Sequence, residues 1–218
     1  MVSLCVSVNV FISCLFITIP VKAGPLKANV SADKIPVVGH SEVSLATCTV
    51  STSQSPAEVS WHLGTPFKSV KEIKNTVEDL DEMYTVTSTL IGTPTVQMNQ
   101  QNVQCVVKHS SMQEELGIDH KIVVHYPPQL VYVTPLKKLS SGEVFQCKAD
   151  ANPTATQFNW KRMDQTIDND AIKIEGNKLY FLKLTSDLSG LYLCEASNQY
   201  GTATGTLYWQ KGYLHSEL

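Results

Sequence analysis

Apolar and polar positions alternate with a period of two through most of the chain. Val59, Trp61 and Leu63 fall on one parity and Ser60 and His62 on the other. Tyr84, Val86, Ser88 and Leu90 oppose Thr85, Thr87 and Thr89, while Val103, Cys105 and Val107 oppose Gln104, Val106 and Lys108. Further along, the inward sets are Phe145, Cys147 and Ala149, then Phe158 and Trp160, Leu179 and Phe181, and Tyr192, Cys194 and Ala196. Strict alternation over short runs predicts half-buried β-strands. One run is out of step, because Val43 and Leu45 have the opposite parity to Cys48, which a β-bulge reconciles. The start of the chain follows another pattern. Val2 to Val21 are almost continuously apolar and lead into Val21-Lys22-Ala23, which has the small-residue spacing of a signal-peptidase site, so residues 1–23 are expected to be a signal peptide.

Composition agrees with strands. The 218 residues include 23 Val, 19 Thr and 20 Ser, types that suit a pleated, half-buried surface. Hydrophobic residues make up 43% and charged residues 17%, which excludes an intrinsically disordered chain. The net charge of -3 provides no basic excess to neutralise a phosphate backbone, so no nucleic-acid partner is expected. No second apolar run follows the leader, and a soluble product is the expectation.

Of the six cysteines, Cys5 and Cys14 lie in the leader, leaving Cys48, Cys105, Cys147 and Cys194. Metal sites gather ligands through short repeats, whereas these four are 57, 42 and 47 residues apart, so long-range disulfides are expected and no metal or other cofactor is. Three connectivities exist. Cys48 with Cys105 and Cys147 with Cys194 is the expected one, because Trp61 follows Cys48 by 13 residues and Trp160 follows Cys147 by 13. A core Trp packed on an inter-sheet disulfide marks the immunoglobulin sandwich. A tyrosine corner is expected from Asp187, Gly190 and Tyr192, the Tyr standing two residues before Cys194; the first half has Val103 at that place. The fold class is therefore all-β, with two tandem immunoglobulin-like β-sandwiches of C1, C2 or I type. His125-Tyr126-Pro127-Pro128-Gln129 is read as a short, stiff Pro-Pro linker, dividing the chain into residues 24–126 and 127–218.

Catalytic signals are weak. The phosphate-cradling glycine loops, the Gly-x-Ser-x-Gly elbow and the His-Glu-x-x-His pair are all missing, so neither enzyme activity nor a small-molecule substrate is expected. His40, His62, His109, His120, His125 and His215 form no close ligand pair and read as solvated surface histidines. Glu78-Asp79-Leu80-Asp81-Glu82 reads as a solvated loop and Asp168-Asn169-Asp170 as a turn between strands. Asn29-Val30-Ser31 is the one usable N-glycosylation sequon beyond the leader, which makes Asn29 the expected glycan site.

Ala46-Thr47-Cys48-Thr49-Val50, Ala57-Glu58-Val59-Ser60-Trp61, Tyr84 to Leu90, Gln101 to His109 and Val124-His125-Tyr126-Pro127-Pro128 together resemble the second immunoglobulin domain of the nectin and poliovirus-receptor family. The part from Gln129 onward resembles a following C2-type domain. The resemblance implies an extracellular cell-adhesion or recognition protein, either secreted or carried on the cell surface within a longer chain. It also implies partners among immunoglobulin-type ectodomains, nectin-like or immune receptors, and a weak lateral homodimer. The sequence departs from the family pattern in lacking an outer variable domain, a membrane helix and a tail, so a short soluble form is expected. A structural spacer and a soluble decoy are the rival readings.

Overall fold

The structure is a computed structural model that describes residues 4–8, 11–15, 26–80, 83–139 and 142–212. The expected cleavage motif at Val21-Lys22-Ala23, together with Asp81, Glu82 and His215, lies outside the described residues. Near the N-terminus, β1 (Leu4–Val8) and β2 (Phe11–Leu15) pair antiparallel.

The first sandwich is built from β3 (Lys27–Ser31), β4 (Val43–Ser53), β5 (Glu58–Leu63), β6 (Val70–Leu80), β7 (Met83–Gly92), β8 (Asn102–Lys108) and β9 (Leu116–Lys121). Four strands in the order β3-β4-β7-β6 face three in the order β5-β8-β9. The second sandwich repeats this plan. It comprises β10 (Tyr126–Leu139), β11 (Gly142–Asn152), β12 (Gln157–Arg162), β13 (Ile172–Glu175), β14 (Lys178–Phe181), β15 (Gly190–Asn198) and β16 (Gly201–Trp209). Its sheets run β10-β11-β14-β13 and β12-β15-β16, the four-on-three arrangement of constant-type immunoglobulin domains. The fold is all-β; the helical turns are short 3-10 segments at Thr65–Ser69, Val96–Met98 and Ser186–Leu188.

Each core is centred on a disulfide. Cys48 is bonded to Cys105, and Cys147 to Cys194, joining the two sheets of each sandwich. Trp61 stands across the strand pair from Cys105, and Trp160 across from Cys194, so the equal sequence offset becomes an equal place in the fold. The surrounding apolar side chains are fully buried, among them Leu45, Val50, Leu90 and Met98 in the first core and Phe145, Leu179, Phe181 and Leu188 in the second. Burial of each such side chain favours folding by about 1.5–3 kcal/mol. The out-of-step run in β4 is a register shift between Ser44 and Ala46, so Leu45, Ala46 and Cys48 are all buried despite their mixed parity.

The two tryptophans differ in their polar ends. The Trp61 Nε1 donates to Ser88 Oγ at 3.0 Å, both groups being buried, whereas Trp160 Nε1 has no hydrogen-bond partner among the described residues. Trp61→Phe leaves Ser88 without its donor, while Trp160→Phe removes a buried N–H that was already unmatched. Trp61→Phe is therefore expected to cost at least about 1 kcal/mol more than Trp160→Phe in urea denaturation. Equal costs would show that the Ser88 bond contributes nothing net.

The tyrosine corner is present, with Tyr192 Oη donating to the Leu188 carbonyl at 2.7 Å and burial pushing the phenol's pKa up, which keeps it a donor. Gly190 has a φ of +156°, which L side chains rarely adopt. Arg162, unremarked by its sequence context, holds this corner from the neighbouring strand. Its Nη2 donates to the carbonyls of Asp187 at 2.7 Å and Ser189 at 2.9 Å, and its guanidinium lies 5.6 Å from the Tyr192 ring centroid.

Four expectations are corrected. Leu63 is 36% exposed, because it ends β5 beside the open margin of the sandwich. Val106 is buried at 3% although its parity points outward, and it lies outside the main core cluster. The acidic run Glu78-Asp79-Leu80 ends strand β6 and leads into the β6–β7 hairpin instead of forming a loop. Pro127 and Pro128 fall inside β10, in the gap where its pairing with β11 shifts between Tyr126 and Leu130.

Candidate interaction surfaces

The junction between the sandwiches is hydrogen-bonded. Val124 and Ile122 close the first core, and two residues later Tyr126 already pairs with Asn152 of the second sandwich. The Asn152 amide donates to the Val124 carbonyl at 2.8 Å and to Asn99 Oδ1 at 3.2 Å, and Asn99 Oδ1 also accepts from the Val124 N–H at 3.0 Å. His125 Nδ1 lies 2.8 Å from the Tyr200 hydroxyl, with the rings 5.4 Å apart. Asn198 ties the second side together by donating to the carbonyls of Tyr126 and Pro153. Burial raises the pKa of the Tyr126 phenol, with Asp150 adding to the effect, so the hydroxyl stays protonated and donates to Asp150 at 3.1 Å. Asparagine, tyrosine and histidine side chains thus join the two sandwiches where the sequence shows two prolines. Asn99, Asn198 and Tyr200 are single polar residues that carry no periodic signal in the sequence.

Strand β6 is an outer edge. It pairs with β7 alone, and its residues Ile73 and Val77 stand opposite Leu90 and Val86, on the core-facing side of the sheet. Yet Ile73 is 45% exposed and Val77 56%, whereas their partners Leu90 and Val86 are 0% and 4% exposed. The difference follows from strand number, because three strands facing four leave the fourth uncovered. Leu80 and Met83 extend the apolar margin, and Leu63, Phe67, Lys68, Val70, Lys71 and Ile73 line an open groove of about 490 Å³ along it. By contrast, the outer face of β5-β8-β9 is polar: His62 is exposed and Gln104 donates to Asp119 at 2.9 Å. On the second sandwich, Leu130 and Tyr132 of β10 and Tyr208 of β16 are exposed apolar positions.

Asn29 is exposed on β3, at the other edge of the four-stranded sheet. Asp168 forms a side-chain turn in which its Oδ1 accepts from the Asp170 N–H at 2.9 Å. The histidines divide. His109 bonds Ser55 and Ser111, His125 belongs to the junction, and His120 is half-buried, its pKa lowered by that burial. Among the described residues no group of three His, Cys, Asp or Glu is placed to hold a metal, and no helix is long and apolar enough to cross a membrane.

Comparison with known proteins places these features in a family. Residues 29–115 match the CD80-like C2-set immunoglobulin domain and residues 135–204 the immunoglobulin domain. The chain is 30% identical over 195 residues to Cell adhesion molecule 1 of Mus musculus, covering 86% of this chain and 41% of that protein. It is 34% identical over 125 residues to Nectin-4 of Xenopus tropicalis, covering 56% and 23%, and 30% identical over 172 residues to Nectin 1b of Danio rerio, covering 74% and 29%. The chain thus spans less than half the length of each of these relatives. The full ectodomain of mouse nectin-like molecule 4 has the same fold, with a TM-score of 0.69 at 18% identity over 88% of this chain and 66% of that one. Two constant-type sandwiches, each with its disulfide and core Trp, and the two domain matches place the chain in the immunoglobulin superfamily, with cell adhesion molecules and nectins among the proteins it is similar to.

Proposed function

We propose that the chain is an extracellular cell-adhesion and recognition module that binds other immunoglobulin-type ectodomains, acts by binding and not by catalysis, and carries an N-linked glycan on Asn29. The observation that supports this reading most directly is the exposed apolar margin of β6 on a two-domain frame held by the Asn152, Asn99 and His125 bonds. Apolar anchors fixed on a stiff support bind well, because little ordering entropy is lost on contact. The named relatives are adhesion molecules and nectins, which supports the same class of partner.

The test is a surface-binding measurement of the full chain, expressed with its leader in eukaryotic cells, against a panel of nectin and cell adhesion molecule ectodomains. Saturable binding to at least one member is expected, weakened about tenfold or more by Val77→Lys, which places a charge within the apolar margin. A chain that binds none of the panel is a spacer, and the proposal falls.

A further inference from the structure

The outer face of the four-stranded sheet in the first sandwich is a field of hydroxyls. Ala28 and Val30 of β3 pack on the core, so Asn29 between them stands on the outer side. Its row runs straight across the sheet: Asn29 lies opposite Thr49 of β4, Thr49 opposite Thr87 of β7, and Thr87 opposite Thr76 of β6. With neighbouring strands about 4.8 Å apart, Thr49, Thr87 and Thr76 lie about 5, 10 and 14 Å from Asn29. The rows on either side satisfy their own hydroxyls, Thr47 with Thr89 and Ser51 with Thr85, each pair 3.3 Å apart. In the middle row, by contrast, the Asn29 amide and the hydroxyls of Thr49, Thr87 and Thr76 make no side-chain hydrogen bond among the described residues. Charges stand only at the corners of this field, at Lys27, Lys74 and Glu78.

A strand side chain stands roughly perpendicular to its sheet, so a glycan on Asn29 leaves over this face and not off the β3 edge. The first sugars of an N-linked glycan are two N-acetylglucosamines, neutral rings rimmed with hydroxyl and amide groups. They match a neutral row of open hydroxyls, each of which can both donate and accept. Because the sugars are covalently tethered, contact costs them little translational freedom, and bonds too weak to hold a free sugar suffice. A protein partner fits this face poorly, since the core of a protein contact is apolar and aromatic, whereas Ile73 and Val77 point to the other side of the sheet.

We infer that the Asn29 glycan lies across the four-stranded sheet, over Thr49 and Thr87 toward Thr76, and that these hydroxyls hold it there and close the face to partners. The inference rests on the glycan proposed above and adds the place where the protein binds it. The test uses the full chain, secreted from eukaryotic cells that build only oligomannose glycans, and an endoglycosidase that cuts between the two N-acetylglucosamines. Cleavage of the native chain is expected to be slower than that of the denatured chain by about fivefold or more, the effect of one or two net hydrogen bonds. Thr49→Val/Thr87→Val removes most of this protection, while Thr47→Val in a flanking row leaves it. Valine keeps the shape and the strand preference of threonine, and an unchanged thermal transition shows that the variants remain folded. In nuclear magnetic resonance the anomeric carbons of both N-acetylglucosamines are expected to relax like the protein backbone, with Overhauser contacts to the Thr87 methyl. Equal cleavage of native and denatured chain, protection indifferent to the double variant, or core sugars that tumble freely overturn this inference and leave the glycan at Asn29 standing. A denatured chain that loses no mass to the glycosidase carries no glycan, and then both readings fall.

Discussion

Trp209→Ala is expected to destabilise the second sandwich by about 3–5 kcal/mol, the range for removing a large buried aromatic. Trp209 is 1% exposed at the end of β16 and stacks on Phe181 with centroids 4.5 Å apart and planes within 15°. Phe181 in turn meets Phe145 and Tyr192 edge to face, at 5.8 and 5.2 Å. Offset-stacked and edge-to-face pairs each add about 0.5–1.5 kcal/mol beyond the area they bury. Truncation opens a cavity against Phe181, the ring on which the other three meet, and it also strips Glu143 of its 2.7 Å bond from the indole N–H. Trp209→Phe keeps the ring stack and loses the bond, so it is expected to cost only about 1–3 kcal/mol. Calorimetry reads the difference as a fall in the second domain's transition on the order of 20 °C for Ala. Loss of less than 1 kcal/mol in Trp209→Ala would mean that the cluster repacks around the gap.

Trp209 lies on an alternation that is legible in the sequence but carries no marker. Gly205, Leu207 and Trp209 are buried on one parity, an alternation as regular as that of Tyr192, Cys194 and Ala196, but without a cysteine to mark it. Gly205 also has its own constraint, since a Cβ there would lie 2.6 Å from the Val131 carbonyl oxygen of β10. Sequence is most informative where local pattern and core position coincide, as at Cys48, Trp61, Cys147, Trp160 and Tyr192. At β6 the two part company. Ile73 and Val77 alternate as a strand requires, but Lys71, Glu72, Lys74, Glu78 and Asp79 crowd around them and give the segment the composition of a loop. Only the strand count of the opposing sheet shows why apolar residues there remain uncovered. The junction is illegible for another reason. His125 and Tyr200 are 75 positions apart and Asn99 and Asn152 are 53 apart, so their pairing depends on how two finished sandwiches meet and on no pattern within either.

Replacing one cysteine pair with alanine is expected to destabilise its own sandwich by about 4 kcal/mol, within a usual range of 2–5. The closed segments are similar, 57 residues for Cys48–Cys105 and 47 for Cys147–Cys194, and loop-closure entropy grows only logarithmically with length. The two deletions should therefore cost nearly the same in chain entropy. What differs is the core each leaves behind. In the second sandwich the rings of Phe145, Phe181, Tyr192 and Trp209 pack on one another, and Arg162 holds the tyrosine corner closed. The first has only Trp61 and Phe67 as aromatics among the buried side chains of its core, Val103 where the second has a tyrosine, and an uncovered β6 edge. Cys48→Ala/Cys105→Ala is accordingly expected to leave the first sandwich largely unfolded at 37 °C, with the second still melting cooperatively. Cys147→Ala/Cys194→Ala lowers the second transition but leaves a folded domain. Differential scanning calorimetry of both variants, with near-ultraviolet circular dichroism to follow the aromatic cluster, separates these outcomes. If either deletion lowers both transitions together, the hydrogen bonds at Asn152 and His125 couple the sandwiches into a single cooperative unit, and the stability of each can no longer be assigned to its own disulfide.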